Sequence, residues 1–389
     1  MKNFEQPQKL LQTLIRFDTT NPPGNEAQCI HYLAGILEEA GIETKLVAKT
    51  ENRPNLLARL EGNGSAPGLL LQGHVDVVTT ADQQWTYPPF EGVEAEGYIW
   101  GRGAMDMKSG VVMMLCAMLR MKAEGLQPAG DITLCILSDE EAGGIQGAQF
   151  LVEEHPNLFQ GIKYGLGEIG GFALYLGGRK FYPIQVAEKL QCQMRLTIRG
   201  AAGHAGFRGA EQGAMARLGQ VLRDLDNERP PLHITPVTSM MISSMAEATN
   251  GSTSLILGQL RRRRAAEALF SSTGDRLKML EPLFRNTATP TIVRGGEKIN
   301  VIPGEIALFL DGRMLPGFTP QMMVKEVQAI VGPGIEIEVL AHDPPAAGEL
   351  DMSQFGLLAG ILRELDPDGV PIPYMNPAVT DARHFARLG

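Results

Sequence analysis

Four apolar runs, residues 55–61, 68–78, 131–138 and 163–168, read as strands, and they share the first half of the chain with runs at 25–40 and 108–124 that read as helices. Strand–helix alternation leaves few arrangements open, chiefly helices flanking a largely parallel sheet. Ligands and chemistry gather at the strand ends of such sheets, so the residues at these ends are the first candidates for function.

The run LLLQGHVDVV carries His74 and Asp76, which lie two apart and so point to the same side of an extended strand. His74 has the chemistry of a metal ligand, with Asp76 accepting the proton of its other ring nitrogen. A histidine paired with a structural aspartate fits the same two residues equally well. In WGRGAMDMKSG, Asp106 sits at the entry to the 108–124 helix. A carboxylate there can bridge two metals or simply cap the helix, and taken alone the cap is the better reading. In CILSDEEAGG an apolar strand runs into Asp139, Glu140 and Glu141. Neighbouring carboxylates after a buried strand are costly unless a cation or proton is shared. One glutamate can then ligate a metal while the other acts as general base; an exposed acidic loop is the alternative. Glu168, in the glycine-rich GLGEIGG, says little by itself.

Together His74, Asp106, Glu141 and Glu168 offer one imidazole and three carboxylates. That set suits zinc, with cobalt or manganese as alternatives. Two metals sharing one carboxylate would activate a water and polarise a carbonyl. Glu140 would take the water's proton and deliver it to a leaving amine.

From about residue 190 the pattern changes. CQMRLTIRG, EIALFLDGRML and IEIEVLAH read as strands, with helices at 210–226 and 319–332 between them, which suggests a small two-layer domain. A helix at 352–364, a proline-rich loop GVPIPYMNP and a last helix TDARHFARLG, with Gly389 as its C-cap, complete the reading. The arginines at 261–264 read as the solvated face of a helix. A chain of 389 residues exceeds one ordinary core, so two domains are expected, one inserted in the other: 1–189, 190–345 and 346–389. A net charge of -9 argues against nucleic acid as a partner. No apolar run has membrane-spanning length, and MKNFEQPQKLLQTLIRF reads as an amphipathic helix without a signal-peptide core. The four scattered cysteines form no CxxC pair, which fits free thiols in a reducing cytoplasm.

The stretches NPPGNE, GHVDVV, WTYPPFEG, WGRGAMDMKSG, SDEEAGG, VAEK, GAAGH, GGEKINVIP, DGRMLPG and TDARHF occur in this order across essentially the whole chain. With them the chain resembles the aminoacylase, carboxypeptidase and succinyl-diaminopimelate desuccinylase family of dinuclear zinc hydrolases, most of all its carboxypeptidase-S-like and aminoacylase-like members. The resemblance implies an α/β catalytic domain with a mostly parallel central sheet and an inserted two-layer α+β lid and dimerisation domain. It implies cleavage of the amide bond of an N-acyl amino acid or small peptide, two zinc ions and a homodimer. In this reading His74 and Glu168 ligate one zinc and Glu141 the other. Asp106 bridges the two, with a cis bond to Met107. Asp76 orients His74, and Glu140 is the general base. His204 stabilises the oxyanion, while Asn300 and Arg313 meet the substrate's carbonyl and carboxylate.

The sequence departs from the family in one place that matters. The family's last zinc ligand is a histidine well beyond the TDARHF motif, and this chain stops at Gly389, one strand and one ligand short. His384 is a weak substitute, since family members that carry a histidine there still use the later one. A truncated protein, or a non-catalytic relative that binds an acyl amino acid without turnover, is therefore the alternative to an active hydrolase. Phosphoester hydrolysis is disfavoured because Arg313 is the one obvious extra cation among the motifs.

Overall fold

The computed structural model describes residues 3–207, 212–272, 275–344 and 350–388. The chain forms two compact units: Met1–Glu168 together with Thr380–Gly389, and Ile169–Val379.

The first unit contains α1 (Pro7–Ile15), α2 (Ala27–Glu39), β1 (Thr44–Ala48), β2 (Pro54–Leu60), β3 (Gly68–His74), a hairpin of β4 (Val93–Ala95) and β5 (Tyr98–Trp100), α3 (Lys108–Ala123), β6 (Ile132–Leu137), α4 (Ala148–Glu154) and β7 (Ile162–Leu166). The short helix Ala382–Phe385 also belongs to it. The central sheet has the order β1-β2-β6-β3-β7. β6, β3 and β7 run parallel to one another, while β1 and β2 pair antiparallel. Both faces of the sheet are covered. Leu56, Ala58, Leu134 and Ile136 pack among the inward residues of α2 and α3. Leu57, Cys135 and Leu137, on the opposite face, pack against Ala148, Phe150, Leu151 and Phe159. This is the period-two alternation of a strand buried on both sides.

β3 ends at His74, short of the 68–78 run expected for it. Beyond it the chain leaves the ladder: Asn21 N donates to Val77 O (2.8 Å) and Val77 N to Thr19 O (3.1 Å), so the loop before α2 takes up this segment's backbone groups.

The second unit holds β8 (Leu174–Leu176), β9 (Arg179–Glu188), β10 (Leu190–Arg199), β11 (Gly203–His204), α5 (Ala214–Asn227), α6 (Pro236–Ala248), α7 (Gly251–Gln259), α8 (Arg263–Ser272), α9 (Asp275–Lys278), β12 (Thr287–Arg294), β13 (Val301–Ile302), β14 (Glu305–Met314), α10 (Pro320–Val331), β15 (Glu336–His342), α11 (Phe355–Leu365) and β16 (Gly369–Asn376). An antiparallel sheet of order β12-β14-β10-β15 carries α5 and α10, which gives the expected two layers. Thr319 caps α10 by accepting from Met322 N, and Pro320 occupies its first turn. Arg261, Arg262, Arg263 and Arg264 are all exposed.

GVPIPYMNP, expected as a loop, forms β16, which pairs in parallel with β9 over Gly369–Asn376. β16 is the edge of a sheet of order β16-β9-β8, and an edge strand tolerates prolines because half of its N–H groups have no ladder role. Since β9 and β16 pair with each other and α6 and α11 pack on them, these segments group with Ile169–Val379. The compact units therefore divide the chain near 168 and 379, at other places than the boundaries at 190 and 345 expected from the sequence. The C-terminal helix is only Ala382–Phe385, followed by a 3-10 turn Ala386–Leu388, and Gly389 lies outside the described residues. Among the described residues no helix is long and apolar enough to cross a membrane, and the four cysteines are free.

Candidate metal centre

Because β6, β3 and β7 are parallel neighbours, their C-terminal ends open on one edge of the sheet, where His74, the Glu140–Ala142 turn and Glu168 sit. His74 is almost fully buried. Its Nδ1 lies 3.0 Å from the main-chain oxygen of Asp76 and 3.4 Å from Asp76 Oδ1. Its Nε2 lies 3.1 Å from Asp106 Oδ1 and 4.0 Å from Glu140 Oε2. One ring nitrogen is thus held from behind while the other faces the carboxylates. Asp106 precedes α3, and its bond to Met107 is cis.

His74, Asp106 and Glu168 each offer a ligand atom, and these atoms all lie within 4.8 Å of one another. Donors at about 2.0–2.2 Å from a single ion come this close together, so the three fit one zinc-sized cation. Glu141 lies outside that group among the described residues. His384 is buried, and its Nε2 lies 3.2 Å from Gly143 O.

The electrostatics suit a cation. Burial, together with the charges of Glu140, Asp106 and Glu141, pushes the Glu168 carboxyl up to about 8. Burial and Asp106 push Glu141 up to about 7, and burial raises Glu140 as well. Burial opposes protonation of His74, yet its hydrogen bonds to Asp106 and Asp76 hold its pKa well above the usual imidazole range. A positive ion at this point would release the trapped protons and relieve the repulsion among the carboxylates.

The Glu140–Ala142 turn is shaped by backbone. Asp139 has φ 75°, Gly143 102° and Gly144 77°. Asp76, fully buried, accepts from Glu140 N at Oδ1 and from Glu141 N at Oδ2, each at 3.1 Å. Asp76 therefore contacts both the turn and His74.

Sequence reasoning gave no role to several residues here. Asn21 donates to both Asp76 and Asp139. Arg53 forms ion pairs with Glu26 and Asp139. Asp381 is buried, and among the described residues neither of its carboxylate oxygens has a hydrogen-bond partner. Burial and Glu140 raise its pKa well above the usual carboxylate range. The stretches NPPGNE, SDEEAGG and TDARHF contained Asn21, Glu26, Asp139 and Asp381, but nothing local in them named a partner.

In the second unit, β11 pairs with β13, His204 opposite Val301, and Ala205 N donates to Asn300 O (3.0 Å). This brings the exposed His204 and Asn300 together. Arg313 lies on β14, where its Nε donates to Asp311 Oδ2 at 3.1 Å. Its Nη1 is buried without a hydrogen-bond partner among the described residues.

The model of the peptidase family M20/M25/M40 matches residues 70–389. The chain belongs to this family. It is 26% identical over 344 residues to a probable carboxypeptidase S-like 2 of Dictyostelium discoideum, covering 82% of this chain and 62% of that protein. It is 28% identical over 337 residues to the N-fatty-acyl-amino acid synthase/hydrolase PM20D1 of Bos taurus, covering 84% of this chain and 66% of that one. This M20 chain thus spans less than two thirds of the length of either relative. In fold it is similar to the M20 family metallo-carboxypeptidase Sso-CP2 of Sulfolobus solfataricus, with a TM-score of 0.72 and 17% identity over 99% of this chain and 89% of that one.

Proposed function

We propose that this M20 protein is a metal-dependent amidohydrolase that cleaves the amide bond of N-acyl amino acids or small peptides. The convergence of His74, Asp106 and Glu168 within 4.8 Å carries this reading. The two relatives, one a carboxypeptidase by name and one an N-fatty-acyl-amino acid synthase/hydrolase, agree with it.

His74, Asp106 and Glu168 would hold the first metal, and Asp106 with Glu141 would contribute to a second. Zinc, or cobalt or manganese, would make water more acidic and polarise the scissile carbonyl. Glu140, 4.0 Å from His74 Nε2, takes a proton from water as its oxygen attacks the carbonyl carbon, and returns it to the amine nitrogen as the C–N bond breaks. A carboxyl raised by burial is suited to both halves of that transfer. His204 is proposed to stabilise the oxyanion, and Asn300 and Arg313 to hold the substrate's carbonyl and carboxylate. Residues 190–345 are proposed as the lid and dimerisation domain of a cytoplasmic homodimer.

The test is release of free amino acid from N-acyl amino acids and dipeptides by the metal-loaded protein. Glu140→Gln is expected to lower the rate by at least about 10²–10⁴-fold with metal content unchanged; full activity in that variant removes Glu140 from the role. The alternative is a relative that binds its ligand without turnover. Ligand binding with no hydrolysis at saturating zinc would establish it.

A further inference from the structure

Asp76 is held from two directions. Asn21 Nδ2 donates to Asp76 Oδ2 at 2.8 Å and to Asp139 Oδ1 at 3.0 Å, one amide nitrogen joining two carboxylates. The same Asp139 Oδ1 lies 2.9 Å from Arg53 Nη1. Arg53 in turn grips Glu26, with Nε 3.1 Å from Oε2 and Nη2 2.6 Å from Oε1. Asp139 Oδ2 accepts from Gln146 N at 2.9 Å. Asn21, Glu26, Asp76 and Asp139 are all buried, at 4% exposure or less. Buried carboxylates this close repel unless bridged, and Asn21 is the bridge between Asp76 and Asp139.

We propose that Asn21, Asp139 and Arg53 form a positioning relay that fixes His74 and the Glu140–Glu141 turn relative to each other, with Asn21 as the link on which it depends. The geometry gives the reason. Asp76 touches His74 on one side and the Glu140 and Glu141 amides on the other. A shift of its carboxylate therefore moves a ligand and the turn together. Asp139 starts that turn, in the left-handed region at φ 75°, so the Asn21 bridge ties the origin of the turn to the group that receives its amides. Arg53 places a positive charge 2.9 Å from Asp139 Oδ1, between it and Glu26. Asn21 acts through Asp76 and is a positioning residue.

The relay rests on the hydrolase reading only for what the ligands hold, and a metal titration separates the two. Zinc binding to the metal-free full chain is measured by calorimetry for the wild type, Asn21→Ala and Thr19→Val, alongside kcat, KM and thermal midpoint. Thr19→Val is the matched control: it removes another buried hydrogen bond of the same loop, Thr19 Oγ1 to Val75 O at 2.6 Å, without touching a carboxylate. Outer groups of this kind are worth about 10–100-fold in metal affinity or activity. That loss is expected for Asn21→Ala, with kcat falling more than KM changes, while Thr19→Val keeps wild-type affinity. If Asn21→Ala does not fold, Asn21→Ser is read in the same way. Unchanged affinity in the Asn21 variant, or an equal loss in Thr19→Val, overturns the relay. A wild type that takes up zinc but hydrolyses no amide overturns the hydrolase reading alone, and one that takes up no zinc overturns both.

Discussion

Asp76 carries more of the centre than the sequence suggested. The motif gave it one task, orienting His74, yet its carboxylate also receives two amides of the Glu140–Ala142 turn and the Asn21 side chain. His74, Glu140 and Glu141 stood out as candidates because each follows an apolar strand, whereas Asp106 and Glu168 gained meaning only beside them. Asn21 was not, because its partners lie 55 and 118 positions away and nothing local marks them. Two predictions belong at this scale. A Cβ on Gly144 would lie 2.8 Å from Asp381 Oδ1, on a residue with φ 77°. Gly144→Ala is expected to destabilise by about 1–3 kcal/mol, read by chemical denaturation, and to lower activity through the adjoining turn. The second concerns pH. Glu141 and Glu168 hold their protons up to about 7 and about 8 in the folded state, against an ordinary value of 4.5. Their contribution to stability is complete below 4.5 and disappears as pH rises through those raised values. The metal-free protein should therefore melt at lower temperature at about pH 8.5 than at about pH 5. Zinc, which replaces the protons, should raise the melting temperature most at the higher pH. Calorimetric melts with and without chelator decide this.

At the scale of elements, amphipathic pattern did most of the work. α2 buries Cys29, Ile30, Leu33, Ala34, Ile36 and Leu37, the three- and four-residue spacing of a helix lying on a sheet. Leu37 is completely buried within the core shared with α3 and β2. Leu37→Ala is expected to cost about 2–5 kcal/mol in denaturant unfolding while leaving zinc affinity unchanged, since the side chain lies in the core and not among the ligands. β16 was missed because Pro371 and Pro373 look like loop residues. Its place at a sheet edge, beside β9 and nothing else in that sheet, makes them acceptable, and edge position is a property of the sheet rather than of the segment.

At the scale of the molecule, the first unit concentrates carboxylates at one edge of its sheet, and metal is expected to stabilise the whole fold. Zinc at about 100 times its dissociation constant adds about 2.7 kcal/mol to unfolding. Chelation should therefore lower the melting temperature, and readdition of zinc should restore it; an unchanged melt would mean that no ion binds the folded state preferentially. The units themselves were only partly legible. The two-layer β10–β15 region reads directly from its strand–helix order. The assignment of β9 and β16 to the same unit does not, because it depends on two segments 181 positions or more apart pairing in parallel (Lys180 opposite Gly369, for example).

The sequence by itself determined the kind of sheet, the helices that cover it and the residue types at its strand ends, because hydrophobic period and turn chemistry act over a few residues and leave a local trace. Only the tertiary structure decided which of those residues meet. It joined His74, Asp106 and Glu168 into one ligand group and left Glu141 outside it. It also buried Asn21 between two aspartates. Each of these outcomes depends on strand order and burial, which long-range packing sets and no short stretch of chain encodes.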